Sequence, residues 1–422
     1  MLQRIFLLAL GVLLLSPAMA SADDWGQWLG PNRDGKSAEK GLISGWTKGG
    51  EPAVQWKIPL GSGFSGVSIV GDRVYTMTSD PVPDDEDEIT SKHREYLVAL
   101  SARDGKEIWR KAIGPVFVDR MGGNGPRATP TVYKGQVFAL SGHGILMAFK
   151  ADTGSVRWMT DLKQAFGSET PKWGFCASPL VVNDTLYIDA GGSLGHGLVA
   201  LNIHDGTVRW NNGDFKTGYS SAILAKAAGV PQIVFFPADY VVGIAPDSGK
   251  VLWKESWETR YDVNAATPLF IAPDKVFIST AYGTGAGLFQ ISKTPAGLKS
   301  KTLWKAKTMK NKMATSIVHE DHIYGFSEED LTCIRASDGK TVWSEEGFGH
   351  GTLIFADGKL LVLGDEGKFA MVEASPKGYK KTGSMQALNE TCWTVPSVSE
   401  GIVYLRDIQH LMAVDLKKKA KE

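Results

Sequence analysis

Ala148-Phe149-Lys150-Ala151-Asp152-Thr153-Gly154-Ser155-Val156-Arg157-Trp158 is the stretch that decides the fold, because it recurs. It reads as a small residue, five positions, Gly, three positions, Trp. The same spacing holds at Ala99, Gly105 and Trp109, at Ala200, Gly206 and Trp210, at Gly243, Gly249 and Trp253, and at Cys333, Gly339 and Trp343. In every copy an Asp stands one or two residues before the Gly: Asp104, Asp152, Asp205, Asp247 and Asp338. Asp bonds its own backbone and Gly accepts positive φ, so each copy predicts a tight hairpin turn between two strands. The Trp then falls at a fixed place on the outgoing strand, where a large ring packs between neighbouring sheets.

A second signature recurs eight times, a turn followed by an apolar strand. Gly71-Asp72-Arg73-Val74-Tyr75, Asn183-Asp184-Thr185-Leu186-Tyr187 and Glu400-Gly401-Ile402-Val403-Tyr404 are clear copies, and Gly229 to Ile233 is the weakest. It marks a hairpin between the first two strands of each unit. Two hairpins per unit make a four-stranded antiparallel blade. The Trp slots run 56, 109, 158, 210, 253, 304 and 343, with Met385 in the next, a mean step of 47 residues. That period with four strands indicates a β-propeller.

The ends fix the blade number. The last unit, Val395 to Leu416, has only three strands, and Val54 to Leu60 carries an orphan Trp56 with no strands before it. Placing Val54 to Leu60 as the fourth strand of the last blade closes the ring and leaves no open edge. The expectation is an all-β, eight-bladed propeller closed by its N-terminal strand. A seven-bladed ring with one misread unit is the alternative.

The rest of the chain fits an exported protein. Arg4, the apolar run Ile5 to Leu15 and the small residues Ala20-Ser21-Ala22 read as a signal peptide, residues 1–22. An extension, 23–53, then precedes the propeller, 54–416, and a basic tail, 417–422, follows it. No Cys lies near the cleavage site to carry a lipid, and no later run is long enough to span a bilayer, so a soluble periplasmic or secreted monomer is expected. The 46 basic and 46 acidic residues cancel, which offers no overall field for nucleic acid. Cys176, Cys333 and Cys392 form no disulfide framework or metal motif, and read as small buried residues on strands. The insertion Pro81 to Arg94, with Asp84, Asp85, Glu86, Asp87 and Glu88, lacks EF-hand spacing and reads as a solvated loop. Gly122 to Arg127 lacks the Lys-Ser/Thr ending of a phosphate loop, and no Gly-x-Ser-x-Gly elbow occurs.

The small-x5-Gly-x3-Trp template resembles the repeat of pyrroloquinoline-quinone (PQQ) dehydrogenases and their non-catalytic, BamB-like relatives, over residues 54–416. The segment Asp24-Trp25-Gly26-Gln27-Trp28-Leu29-Gly30-Pro31-Asn32-Arg33-Asp34-Gly35 resembles the opening of an exported bacterial group in that superfamily. The resemblance implies two functions. One is a non-enzymatic scaffold of the cell envelope with a protein partner and no cofactor. The other is a dehydrogenase of alcohols or sugars that uses PQQ and calcium. The vicinal Cys pair that stacks on the quinone in many such enzymes is absent, and the long inter-blade insertions are missing. The loops that enter the first strand of each blade would meet at one mouth of the central channel. They bring Phe64, Arg127, Phe175, Tyr219, Asn264, Lys312, His350 and Trp393 as funnel candidates for an anionic or planar ligand, with no catalytic or metal set among them.

Overall fold

The computed structural model describes residues 24–83, 88–90 and 92–418. The expected signal peptide, the acidic residues Asp84 to Asp87 and the end of the basic tail lie outside the described residues. Eight blades follow one another around the ring, each of four antiparallel strands, and in the first seven these run in chain order from the inside outward. Blade 2 is representative: Thr131–Tyr133, Gln136–Leu140, Ile145–Lys150 and Val156–Asp161. Its two middle strands are buried and its outer strand alternates, because only the middle of a blade is sandwiched on both faces.

Blade 8 closes as the orphan Trp56 requires. Val54–Pro59 pairs antiparallel with His410–Asp415, with Trp56 opposite Ala413 and Ile58 opposite Leu411. The N-terminal strand thereby supplies the outer strand of a blade whose other three strands are the last in the chain.

The two sequence signatures meet side by side. Across blade 1, Tyr75, Ala99 and Trp109 stand in one row. The small residue of the template is small because it lies between two rings, 6.0 Å apart at their centroids. Blades 2, 3, 6 and 8 repeat the row with Phe138 and Trp158, Tyr187 and Trp210, Tyr324 and Trp343, and Tyr404 and Trp56. One residue beyond each row a bulge shifts the register and tilts the outer strand.

Each indole also fastens its blade to the next. Trp109 Nε1 donates to the Ala151 carbonyl at 3.2 Å, and its ring lies where a Cβ on Gly154 would sit, 2.8 Å away. Trp56 reaches Ala102 O and Gly105, Trp158 reaches Ile203 O and Gly206, and Trp210 reaches Pro246 O and Gly249 in the same way. The turn glycine is needed twice over, for its φ near 70° and for the space beneath the neighbouring ring. Trp253 breaks the pattern. Blade 5 has no Asp-Gly turn there, and Trp253 bonds Gln232 of its own blade instead.

Blade 7 corrects the expectation that Met385 holds the Trp slot. The bulge places Gly383, opposite Met371, at that position. The longer turn through Pro376 to Tyr379 sets the slot 12 positions after Met371, where the template has 10. The vacant space is filled from elsewhere: Trp46 of the N-terminal extension lies over Gly383, whose Cβ would sit 2.4 Å from its ring. Trp46 Nε1 donates to Ser384 O at 3.2 Å, and its ring stacks on Phe369 at 6.0 Å.

The extension also crosses the channel. Trp25 bridges Ile69 in blade 1, the Val132 amide of blade 2 donates to Gly26 O, and Lys36–Ser37 adds a parallel strand to the inner edge of blade 7. Between these points Arg33 is only 2% exposed, and its guanidinium donates to the carbonyls of Ser178, Pro179 and Ala222. The Trp-rich opening is therefore a plug. Gly30 makes room for the Trp25 ring, and Gly35 for Ile317. Cys333 lies on a strand, whereas Cys176 and Cys392 lie in the loops before blades 3 and 8, and all three are free thiols.

Candidate functional site: an aromatic funnel floored by the N-terminal extension

On the side of the plug where the inter-blade loops gather, a cavity of about 340 Å³ opens to solvent. Of the candidates read from sequence, Phe64, Arg127, Tyr219, Lys312 and Trp393 line it. Phe175 and Asn264 do not. Phe175 is buried in the core between blades 2 and 3, and the Asn264 amide is spent on the carbonyls of Pro237, Ala238 and Trp257. Their neighbours Cys176, Val263 and Ala265 face the cavity instead. His350 stands behind the wall and accepts a hydrogen bond from Lys312 Nζ at 2.9 Å.

The floor is Trp28, which the sequence reading did not place in the funnel. Its indole N–H donates to Thr267 Oγ1 at 2.8 Å. The two tryptophans of the opening motif thus divide the work: Trp25 is buried against blade 1 and Trp28 faces the cavity. Trp173, Tyr282, Met121 and Met313 complete the wall, and Met121 is 81% exposed. Phe64 and Trp393 stack at 5.1 Å, and Trp173 meets Tyr219 edge-on at 5.5 Å.

The cations of the funnel are not equivalent. Arg127 pairs with Asp119 at 3.2 Å, donates to the Gly123 and Gly125 carbonyls, and lies over the Phe117 ring at 4.8 Å. It is a loop clamp. Lys312 has only the His350 ring nitrogen among its described contacts, which leaves two of its three N–H bonds for the cavity. Burial pushes the Cys176 thiol up to about 11, so it is a poor nucleophile at neutral pH. Burial also raises the Tyr219 phenol. Behind the wall, burial pushes Glu95 up to about 7, against two amide donors, Phe117 N and Gly142 N, that favour its charged form.

Aromatic walls suit a planar ring, but the residues present do not fit a quinone held with calcium. No Asp, Glu, Asn or Gln lines the cavity, so a hard cation would find no carboxylate or amide oxygen there. Among the described residues no three His, Cys, Asp or Glu side chains cluster at metal-binding distance.

A closed ring of indole-locked, four-stranded blades with a plugged channel defines a PQQ-type β-propeller. Residues 93–345, more than half the chain, match the family model described as outer membrane protein assembly factor BamB, and the chain belongs to that family. Among solved structures it is similar to BamB from Moraxella catarrhalis, with 14% identity and a TM-score of 0.58 over 88% of this chain and 99% of that one. It is similar too to the quinohemoprotein alcohol dehydrogenase ADHIIG from Pseudomonas putida HK5, with 13% identity and a TM-score of 0.61 over 95% and 81%. The computationally designed Ika8 protein matches at 11% identity and 0.58, over 86% and 100%. These identities establish the shared fold. No curated protein matches the sequence. No helix among the described residues is long and apolar enough to cross a membrane.

Proposed function

We propose that this protein is an exported, non-enzymatic scaffold of the cell envelope that binds a protein partner at the funnel mouth. The carrying observation is the composition of that surface. Trp28, Trp173, Tyr219, Trp393 and the protruding Met121 surround a cavity with no carboxylate in its lining. Trp, Tyr and Met are the residue types that dominate protein interfaces, whereas hydride or proton chemistry needs a base within reach of substrate. Two acids behind the wall are already used, Asp119 by Arg127 and Glu95 by loop amides. A rigid ring that holds many loops in one plane also suits recognition. The family match and the likeness to BamB agree with this reading, and the likeness to ADHIIG keeps the dehydrogenase in the test.

The experiment has two arms. A photo-crosslinking residue at Met121, in cells that make the protein, should trap a discrete envelope protein, and the Trp393→Ala variant should weaken that adduct several-fold. Purified protein supplied with PQQ and calcium should reduce no dye with alcohols or sugars. Stoichiometric quinone binding with turnover would overturn the scaffold reading.

A further inference from the structure

The opposite mouth of the channel holds a larger cavity, about 670 Å³, between the plug and the inner strands of blades 3 to 6. Its walls are backbone edges rather than loops. In each blade the innermost strand ends in a tight turn, and the residues that flank the turn exchange the ladder bonds. The residue one step further in therefore turns its amide toward the channel. In three blades the extension satisfies that amide: Ile69 N donates to Trp25 O, Val132 N to Gly26 O and Phe355 N to Gly35 O.

Blades 3, 5 and 6 present the same amide at Val181, Phe270 and Val318, which oppose Leu186, Val276 and Ile323. Blade 4 has a longer inner strand, Ile223–Ala227, and presents two such amides, at Leu224 and Lys226. Lys226 lies opposite Pro231, which has no N–H to offer, as a non-bonded pair allows. Among the described residues nothing bonds these amides from the channel side. Val181, Leu224, Phe270 and Val318 all line the cavity, and Leu224 is 46% exposed. Arg33 meanwhile occupies the Ser178, Pro179 and Ala222 carbonyls just before the strands of blades 3 and 4. What remains is an edge with donors to offer.

We propose that this mouth binds an extended peptide segment of a partner protein, whose backbone carbonyls accept from the amides of Val181, Leu224, Phe270 and Val318. The chain itself supplies the precedent. The extension makes this contact on blades 1, 2 and 7, and on blade 7 it continues as a parallel strand, with Lys36 opposite Phe355. A guest segment would continue the same arc across blades 3 to 6, which line the cavity. Main-chain bonding gives affinity with little dependence on sequence, and the exposed Leu224 and half-buried Phe270 side chains select apolar residues at the points of contact. This site lies across the plug from the funnel, so failure at Met121 leaves it standing.

A phage-displayed library of random dodecapeptides, panned on the immobilised mature protein, tests it. Enriched peptides should slow amide exchange in the inner strands of blades 3 to 6 and leave the funnel loops unchanged. Leu224→Pro removes one channel-facing donor without touching the ladder, since proline is tolerated on an edge whose N–H faces solvent. It should weaken the enriched peptides at least tenfold. If that variant does not fold, exchange on the unaltered protein decides alone. No enriched peptide, undiminished binding to folded Leu224→Pro protein, or protection confined to the funnel loops would each overturn the proposal.

Discussion

The joint between blades 2 and 3 and the outer face of blade 7 solve one packing problem in two ways. In the first, Trp158 rises from the blade's own outer strand, packs under Gly206 and bonds Ile203 O. In the second, the strand offers Gly383, and an indole arrives from 337 positions earlier in the chain. Trp46 comes at the right distance and bonds Ser384 O, but it is only half buried and has no turn of a following blade to lock onto. Blade 8 lacks that turn because its third strand ends the propeller and its outer strand is Val54–Pro59. A local indole fastens two blades together; a borrowed one covers a single blade and ties the extension down.

Breaking the closure should have the largest effect. Removing residues 24–60 takes away the outer strand of blade 8, the plug and Trp46 together. Cooperative unfolding should be lost, and the amides of Ile402–Arg406 and His410–Asp415 should exchange freely. Full protection of those strands in the truncated protein would refute the closure. Next come the indoles themselves. Trp158→Ala should cost about 3–5 kcal/mol, as for a buried aromatic, and Trp46→Ala about 1–2 kcal/mol because its ring is part-exposed. Urea midpoints measure both, and equal costs would erase the distinction between local and borrowed indoles. Smaller again is Gly383→Ala, which should expel the Trp46 ring. In the double variant with Trp46→Ala the two costs should fall well short of additive. Full additivity would mean that Trp46 does not occupy the slot.

The last effect belongs to the regular arc and reads through pH. Asp189, in the second strand of blade 3, is buried, and burial pushes its carboxyl from 3.8 up to about 8, while one oxygen has no partner. Because the folded value is the higher one, the native state holds the proton longer than the unfolded chain. This group's contribution is fully present below about pH 4 and is lost as pH rises through about 8. The melting temperature should fall from about pH 5 to about pH 9, and Asp189→Asn, which keeps an acceptor for Gly218 N, should flatten that slope. An unchanged slope would place the titration elsewhere.

What the sequence made legible was whatever repeats. The turn Asp and Gly, the small residue and the Trp are local and periodic, so blade number and closure could be read from spacing and from one orphan strand. The Gly383 slot could not, since a longer turn moved it off the template spacing and its ring comes from a segment with no period at all. The funnel was half legible for a related reason. Loop position places Tyr219, Lys312 and Trp393 at the mouth, but neighbouring residues in an extended loop face opposite ways. Reading one residue off exchanges Asn264 for Val263 and Ala265, and Phe175 for Cys176. Trp28 carried a signal, its place in the Trp-rich opening, but no local rule says which of two tryptophans turns inward.

The strand that closes the ring also sets a schedule. Val54–Pro59 is made early, and its partner His410–Asp415 about 350 residues later. At roughly 5–20 residues per second, the first-made strand waits about 20–70 s for the last-made one. During that interval Trp56, Trp46 and the plug have no finished ring to occupy. Blades 1 to 7 can stack as they emerge, but the molecule is completed in one late step that joins its oldest and newest segments. A chain interrupted before residue 410 would therefore be left with a pair of bare blade edges and an apolar N-terminal arm, the form most in need of a holding chaperone.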